Sequence, residues 1–279
     1  LYALEDQLVI DTALAATCVG EHELAIEHLA AAGRGDLIVY DRGYPAFWLF
    51  ALHRAKEIDF CMRMPRGGFT EVDAFLRSDE PSRLVTLSAS PDQRRACRDQ
   101  QVCADAIRLR LVRVHLKGGD TEVLATSVLD EERIPDRLFG QLYRRRWGVE
   151  EGYKRLKCWA EIETISGRSL LAVRQDVHAK VLAYNLTSML RNVAQCLADR
   201  RYAQRKHRYQ VRGCSSLSAM KNNLVRLIIA DPPDRQHLLV ALLRQLATAV
   251  DAVREGRSFP RDTPGRRKTG PHMAYKRAA

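Results

Sequence analysis

Four residues between Tyr143 and Lys157 combine side chains that could together hold and attack a phosphodiester. In the segment YRRRWGVEEGYKRLK, Tyr143, Arg146, Glu150 and Lys157 follow one another at steps of three, four and seven. At about 100° per residue they fall within an arc of roughly 60° on one helix. That stripe carries a phenol, a guanidinium, a carboxylate and an ammonium. A carboxylate ligates hard divalent cations, arginine grips a phosphate with two hydrogen bonds, and lysine adds a point charge. Six basic residues, Arg144, Arg145, Arg146, Lys154, Arg155 and Lys157, surround only two acidic ones. The spacing leaves two readings open: a basic surface helix with an i,i+4 pair between Arg146 and Glu150, or Glu150 as a metal ligand in a basic groove.

A second carboxylate stands at the end of a short apolar run. Leu37 to Tyr40 reads as a buried strand, and Asp41-Arg42-Gly43-Tyr44-Pro45 as the turn at its carboxyl end. Aspartate in such a place commonly caps the turn by bonding its own backbone. The carboxyl ends of buried strands are also where open α/β sheets bind ligands, so Asp41 has a functional reading beside the local one.

These residues need a frame. Leu1 to Leu14 holds two apolar runs around Glu5-Asp6-Gln7, the pattern of a hairpin. Leu24, Ile26, Leu29 and Ala32 predict a helix stopped by Gly33 and Gly35, and a second helix is expected over 45–56 behind the Asp41 strand. From Ile58 to Asp130 the texture is β-rich. In IRLRLVRVHL, Ile107, Leu109 and Leu111 alternate with arginines, which predicts a half-exposed strand with a positive outer face. Helical periodicity returns from 134 to 159, where Leu142, Val149, Tyr153 and Leu156 form an apolar stripe beside the polar one. Gly140, Gly148 and Gly152 within that helix predict that another group approaches it closely. A helix over 170–199 is followed by a basic stretch from Arg200 to Arg212, one or two further helices over 217–255, and a mobile basic tail from Gly256.

The 279 residues include 45 Lys and Arg against 34 Asp and Glu, a net charge of +11 that points to a polyanionic partner, with nucleic acid first. Seven cysteines without a C-x-x-C pair argue against a disulfide framework or a standard zinc site. The eight histidines are scattered, and no glycine-rich phosphate loop is present, so nucleotide hydrolysis has no support. Charges interrupt every long apolar run, and no membrane span is expected. The chain opens on Leu1 inside an apolar segment and reads as a piece of a longer polypeptide.

The pair DRGY (Asp41 to Tyr44) and Y-x2-R-x3-E-x6-K (Tyr143, Arg146, Glu150, Lys157) resembles the signature of the DDE transposases of bacterial insertion sequences, in particular the insertion-sequence-four family. The resemblance covers roughly Leu1 to Ala198. It implies an α/β chain with an RNase H-like catalytic core interrupted by a β-rich insertion and followed by helices and a basic tail. The expected parts are 1–57 as the first piece of the core without its first strand, 58–133 as the insertion, 134–199 as the second piece with the glutamate helix, and 200–279 as the basic carboxyl-terminal region. By the same resemblance, three carboxylates hold two Mg²⁺ or Mn²⁺ ions that activate water or a DNA 3′ hydroxyl. Asp41 matches the second carboxylate and Glu150 the third, while Tyr143, Arg146 and Lys157 match residues that contact phosphates of the transposon end. Arg144, Arg145, Lys154 and Arg155 are expected to add to that DNA surface.

The first aspartate of the family sits on a strand before the opening hairpin. Glu5 and Asp6 read as turn residues and Asp11 as part of the returning strand, so none of them replaces it. The expectation is therefore a truncated, catalytically incomplete transposase that binds double-stranded DNA at transposon ends, pairs as a homodimer in a synaptic complex, and works in the bacterial cytoplasm at the nucleoid. A non-catalytic basic nucleic-acid-binding protein and an ordinary helical protein with solvated charge are the alternatives. Only the transposase requires Asp41 and Glu150 to converge.

Overall fold

A computed structural model describes residues 1–16, 18–116 and 119–254, together with the backbone of Ala274–Tyr275. The basic tail expected from Gly256 otherwise lies outside the described residues. The chain forms two compact units: Leu1 with Asp11–Gly148, and Tyr2–Ile10 with the segment from Val149 onward. No helix among the described residues is long and apolar enough to cross a membrane.

In chain order the elements are β1 (Tyr2–Ala3), β2 (Leu8–Val9), α1 (Glu21–His28), β3 (Leu37–Tyr40), α2 (Phe47–Lys56), β4 (Asp59–Arg63), α3 (Thr70–Leu76), β5 (Ser82–Leu87), α4 (Pro91–Asp99), β6 (Ile107–His115), β7 (Thr121–Thr126), α5 (Asp136–Arg145), α6 (Trp147–Cys158), β8 (Thr164–Ile165), α7 (Leu170–Arg201), β9 (Arg208–Val211), α8 (Gly213–Ile229), α9 (Pro232–Thr248) and β10 (Val250–Val253). The chain is thus mixed α/β.

The first unit is built on one five-stranded sheet in the order β3-β4-β7-β6-β5. Strands β3 and β4 are parallel, with Tyr40 opposite Met62, and α2 is their crossover. The other pairings are antiparallel. The segment 58–133 therefore supplies four of the five strands, besides α3 and α4. Alternation divides the strand residues between two cores. Tyr40, Phe60 and Met62 pack with Phe47, Leu49 and Phe50 of α2 on one face. Leu37, Val39, Cys61 and Leu124 pack with Phe139 and Tyr143 of α5 on the other.

Because both faces are covered, the positive outer face expected for β6 does not exist. Arg108 is exposed, but Arg110 is buried at 1% exposure, with its guanidinium 4.9 Å from the Phe139 ring centroid and one nitrogen donating to the Ile134 carbonyl at 2.7 Å. Arg113 spends its donors on the carbonyls of Phe75, Ser78 and Glu80. Alternation with charge resembles a half-exposed strand unless a helix covers the charged side.

The second unit gathers α7, α8 and α9 around a small core of Ala194, Ala198, Val211, Leu242 and Leu246. The paired strands β9 and β10 run antiparallel beside them. The hairpin β1-β2 joins this unit through Asn185 of α7, whose amide accepts from the Val9 N–H at 2.9 Å and donates to the Val9 carbonyl at 2.8 Å. That amide does what a third strand would do for one residue. Ahead of β2, Gln7 takes a left-handed conformation with φ of 57°. Its side-chain oxygen accepts hydrogen bonds from Arg155 of α6 and Arg191 of α7.

Candidate active site

Asp41 follows the last residue of β3, where the parallel strands β3 and β4 both end. One carboxylate oxygen accepts the Gly43 N–H at 2.8 Å, and the Tyr44 N–H returns to the Asp41 carbonyl at 3.3 Å, so the turn is locally self-bonded. The other oxygen, Oδ2, lies 4.0 Å from Nη1 of Arg146, and the side chain is 53% exposed. The local reading of Asp41 as a turn residue is thus met by one oxygen.

Beneath it the strand is pinned from inside. The hydroxyl of Tyr40 and Nε2 of His53 are 2.8 Å apart, and Nδ1 of His53 lies 3.0 Å from the Ile58 carbonyl. The carbonyl can only accept, so Nδ1 carries the proton and the Tyr40 hydroxyl donates to Nε2. Burial lowers the His53 pKa to about 4, which keeps the ring neutral.

Arg146 comes to this edge from the end of α5. Its Nη1 is 4.0 Å from Asp41 Oδ2, and its guanidinium carbon lies 5.6 Å from the Tyr143 ring centroid and 5.7 Å from that of Trp147. Two aromatic faces hold the cation in place. Burial raises the pKa of the Tyr143 hydroxyl, opposed by the charges of Arg146 and Arg63. Arg63, at the end of β4, pairs with Glu122 of β7 at 2.9 Å. Neither of these two was singled out from the sequence: they stand 59 positions apart, and only the sheet order brings them together.

The continuous helix expected from Tyr143 to Lys157 is corrected to two. α5 ends at Arg145 and α6 begins at Trp147. The Arg146 N–H bonds to the Tyr143 carbonyl at 3.0 Å, a contact three residues back that tightens the turn and interrupts the four-residue ladder. Tyr143 and Arg146 therefore belong to the first unit, and Glu150 and Lys157 to the second. The apolar stripe is also corrected in part: Leu156 is buried, yet Tyr153 is 60% exposed. The glycines do mark close approach. A Cβ on Gly140 would stand 3.2 Å from Val114, and one on Gly152 would stand 3.0 Å from the Tyr2 ring.

On α6, Glu150 occupies the first turn, which a carboxylate favours because the helix end carries partial positive charge. Lys154 pairs with Glu151 at 2.6 Å and Lys157 with Glu163 at 2.8 Å, all four side chains being more than half exposed. Such pairs are worth little and are readily exchanged for a phosphate. Arg144 and Arg145 are exposed, whereas Arg155 is half-buried and turned to Gln7. Carboxylate oxygens are the donors a hard Mg²⁺ or Mn²⁺ ion takes, so Asp41 and Glu150 fit by type. Among the described residues, no group of three or more His, Cys, Asp or Glu side chains is gathered as a metal site.

Residues 1–186 match the family model described as a transposase DDE domain. Over 169 residues the chain is 30% identical to the Transposase InsG for insertion sequence element IS4 of Escherichia coli (strain K12), a match that covers 60% of this chain and 37% of that relative.

Proposed function

The chain belongs to the DDE transposases of the insertion-sequence-four type, and from that membership we propose that it acts on phosphodiesters at transposon ends with the help of divalent metal. The observation that carries this reading is the placement of Asp41 at the carboxyl end of a half-buried parallel edge strand with Arg146 beside it. In this reading 1–57 and 134–199 are the two parts of an RNase H-like core, 58–133 lies between them, and 200–279 adds a basic carboxyl-terminal region. Double-stranded DNA is the partner, and the bacterial cytoplasm at the nucleoid is the place.

The roles follow from the side chains. Asp41 and Glu150 would hold Mg²⁺ or Mn²⁺, which when bound supplies Lewis-acid activation of an attacking oxygen and charge for a leaving one. Asp41 would offer Oδ2 while Oδ1 keeps the turn. Arg146, whose guanidinium lies beside the rings of Tyr143 and Trp147, would give N–H groups to a phosphate. Lys157 and Lys154 give up exposed acidic partners to follow the backbone, and Arg144 and Arg145 extend the charged surface.

Mn²⁺ titration followed by electron paramagnetic resonance tests the reading. Asp41→Asn and Glu150→Gln should each weaken Mn²⁺ binding. Mn²⁺ affinity unchanged by either substitution would favour the second reading, a basic DNA-binding protein without catalysis.

A further inference from the structure

At the amino end of β3, the end away from Asp41, the first unit carries a cavity of about 520 Å³. It lies between the turn at Arg34 and Gly35, the end of α2, the starts of β4 and β6, and the segment from Ser127 to Arg133. That volume is ordinary for a small-molecule pocket. Ile58, Phe60, Ile107 and Leu109, none more than 4% exposed, give it an apolar floor. Its polar lining sets four arginines, Arg34, Arg54, Arg108 and Arg133, against two carboxylates, Glu57 and Asp59.

Two of the arginines build the walls. Arg54 donates to the carbonyls of Cys103, Asp105 and Ala106 at 3.3, 3.4 and 3.0 Å, which ties α2 to the segment before β6. Arg133 Nη1 stands 2.6 Å from Asp59 Oδ2, while Asp59 Oδ1 accepts the Ser127 hydroxyl at 2.7 Å. The other two are left over. Arg108, opposite Thr86 of β5, is exposed and makes no hydrogen bond or ion pair among the described residues. Arg34 faces Glu57 at 3.8 Å with both side chains mostly exposed, a pair of little worth.

Four cations against two carboxylates leave a surplus of two positive charges in one cavity. A phosphate monoester, at about −1.5 to −2 near pH 7, matches that surplus. A carboxylate or a phosphodiester, with one charge each, does not. Guanidinium groups bind phosphate through paired N–H donors, and the cavity has room beyond the phosphate for an organic body against the floor.

We propose that this cavity is an anion site for a phosphate monoester of nucleotide size, with Arg34 and Arg108 holding the phosphate and the apolar floor meeting the rest of the ligand. Such a group is carried by a free nucleotide or by the 5′ end of a DNA strand. The site lies apart from Asp41 and takes no part in the phosphodiester chemistry proposed above.

Calorimetric titration of the full 279-residue chain with adenosine 5′-monophosphate in EDTA should give a dissociation constant below about 1 mM, and adenosine should bind far more weakly. Arg34→Gln and Arg108→Gln should each weaken nucleotide binding about tenfold by removing a charged donor. Both positions are exposed, so the variants fold, which circular dichroism verifies. Glu57→Gln removes the carboxylate that competes for Arg34 and should tighten binding about threefold, a gain that damage to the fold does not produce. Asp41→Asn should leave the affinity unchanged, so this site and the transposase reading fail separately. Displacement of the nucleotide by a 5′-phosphorylated single strand, but not by its 5′-hydroxyl counterpart, assigns the site to a DNA end; displacement by neither assigns it to a free nucleotide. A nucleotide that does not bind, adenosine bound equally well, an affinity indifferent to both arginine substitutions, or displacement by both strands alike overturns the proposal.

Discussion

Arg146 Nη1 stands 4.0 Å from Asp41 Oδ2, a separation at which the guanidinium partly neutralises the carboxylate without forming a tight pair. An ion pair this long, with Asp41 more than half exposed, is weak. The guanidinium also lies beside the rings of Tyr143 and Trp147.

Substitutions at Asp41 should separate charge from fold. Asp41→Asn keeps the oxygen that accepts the Gly43 N–H, and its unfolding free energy should stay within about 0.5 kcal/mol of the parent. Asp41→Ala orphans that N–H and should cost about 1 kcal/mol. Urea unfolding of the two variants compares them directly, and equal losses would refute the turn role.

Arg146→Lys should weaken binding to double-stranded DNA nearly as much as Arg146→Ala, by about tenfold. Lysine keeps the charge but loses the planar group that lies beside the Tyr143 and Trp147 rings and the paired N–H geometry. Fluorescence anisotropy with a labelled duplex measures it. If lysine retains full affinity, only the charge matters at this position.

DNA affinity should also fall steeply with salt. If about five phosphates are contacted, log K against log salt has a slope near −4.5, a loss of several hundredfold between 50 and 200 mM. Lys157→Ala should make the slope shallower by about one unit, whereas an affinity indifferent to salt would exclude backbone contacts.

Acid should act on the fold through His53. Its pKa drops from the ordinary 6.5 to about 4 on burial, so the unfolded chain binds more protons and stability rises with pH across that window. The contribution is complete above about pH 6.5 and is lost progressively towards pH 4, at most about 3 kcal/mol. His53→Gln, which can still accept from Tyr40, should abolish that part of the slope in denaturant titrations at pH 4.5 and 7.

Gln7 should prove more important than its place in a turn suggests. Gln7→Ala removes the acceptor shared by Arg155 and the buried Arg191 and should cost about 1 to 3 kcal/mol. Gln7→Glu puts a carboxylate against two guanidinium groups and should raise the melting temperature instead. A neutral outcome for both variants in calorimetry would show that the arginines find other partners.

Short-range signals in the sequence carried the β3 strand and the turn at Asp41, because four apolar residues followed by Asp-Arg-Gly constrain the backbone locally. They also carried the hairpin and the long α7. What escaped depended on distant segments. Arg110 could not be seen as buried until α5 covered its face of the sheet, and Arg63 and Glu122 meet only because β7 enters between β4 and β6. Strand β9 was hidden by its own composition: Arg208-Tyr-Gln-Val reads as part of a basic run, and its partner β10 lies about forty residues later. The interruption at Arg146 leaves no mark in a periodicity that continues on both sides of it.

The attachment of Gln7 to Arg155 closes a separation of 148 residues. As the chain leaves the ribosome, the hairpin emerges ahead of the first unit but has nothing to dock on until α6 and α7 have been made, and nearly all of that unit is synthesised in the meantime. At roughly 5 to 20 residues per second the hairpin waits many seconds, time enough for the intervening unit to fold as a self-contained insert. Closing so long a loop adds little once that insert is compact, since the entropic cost grows only logarithmically with length. The order of synthesis thus imposes an order of assembly, in which a hairpin made before the first unit finds its place after it.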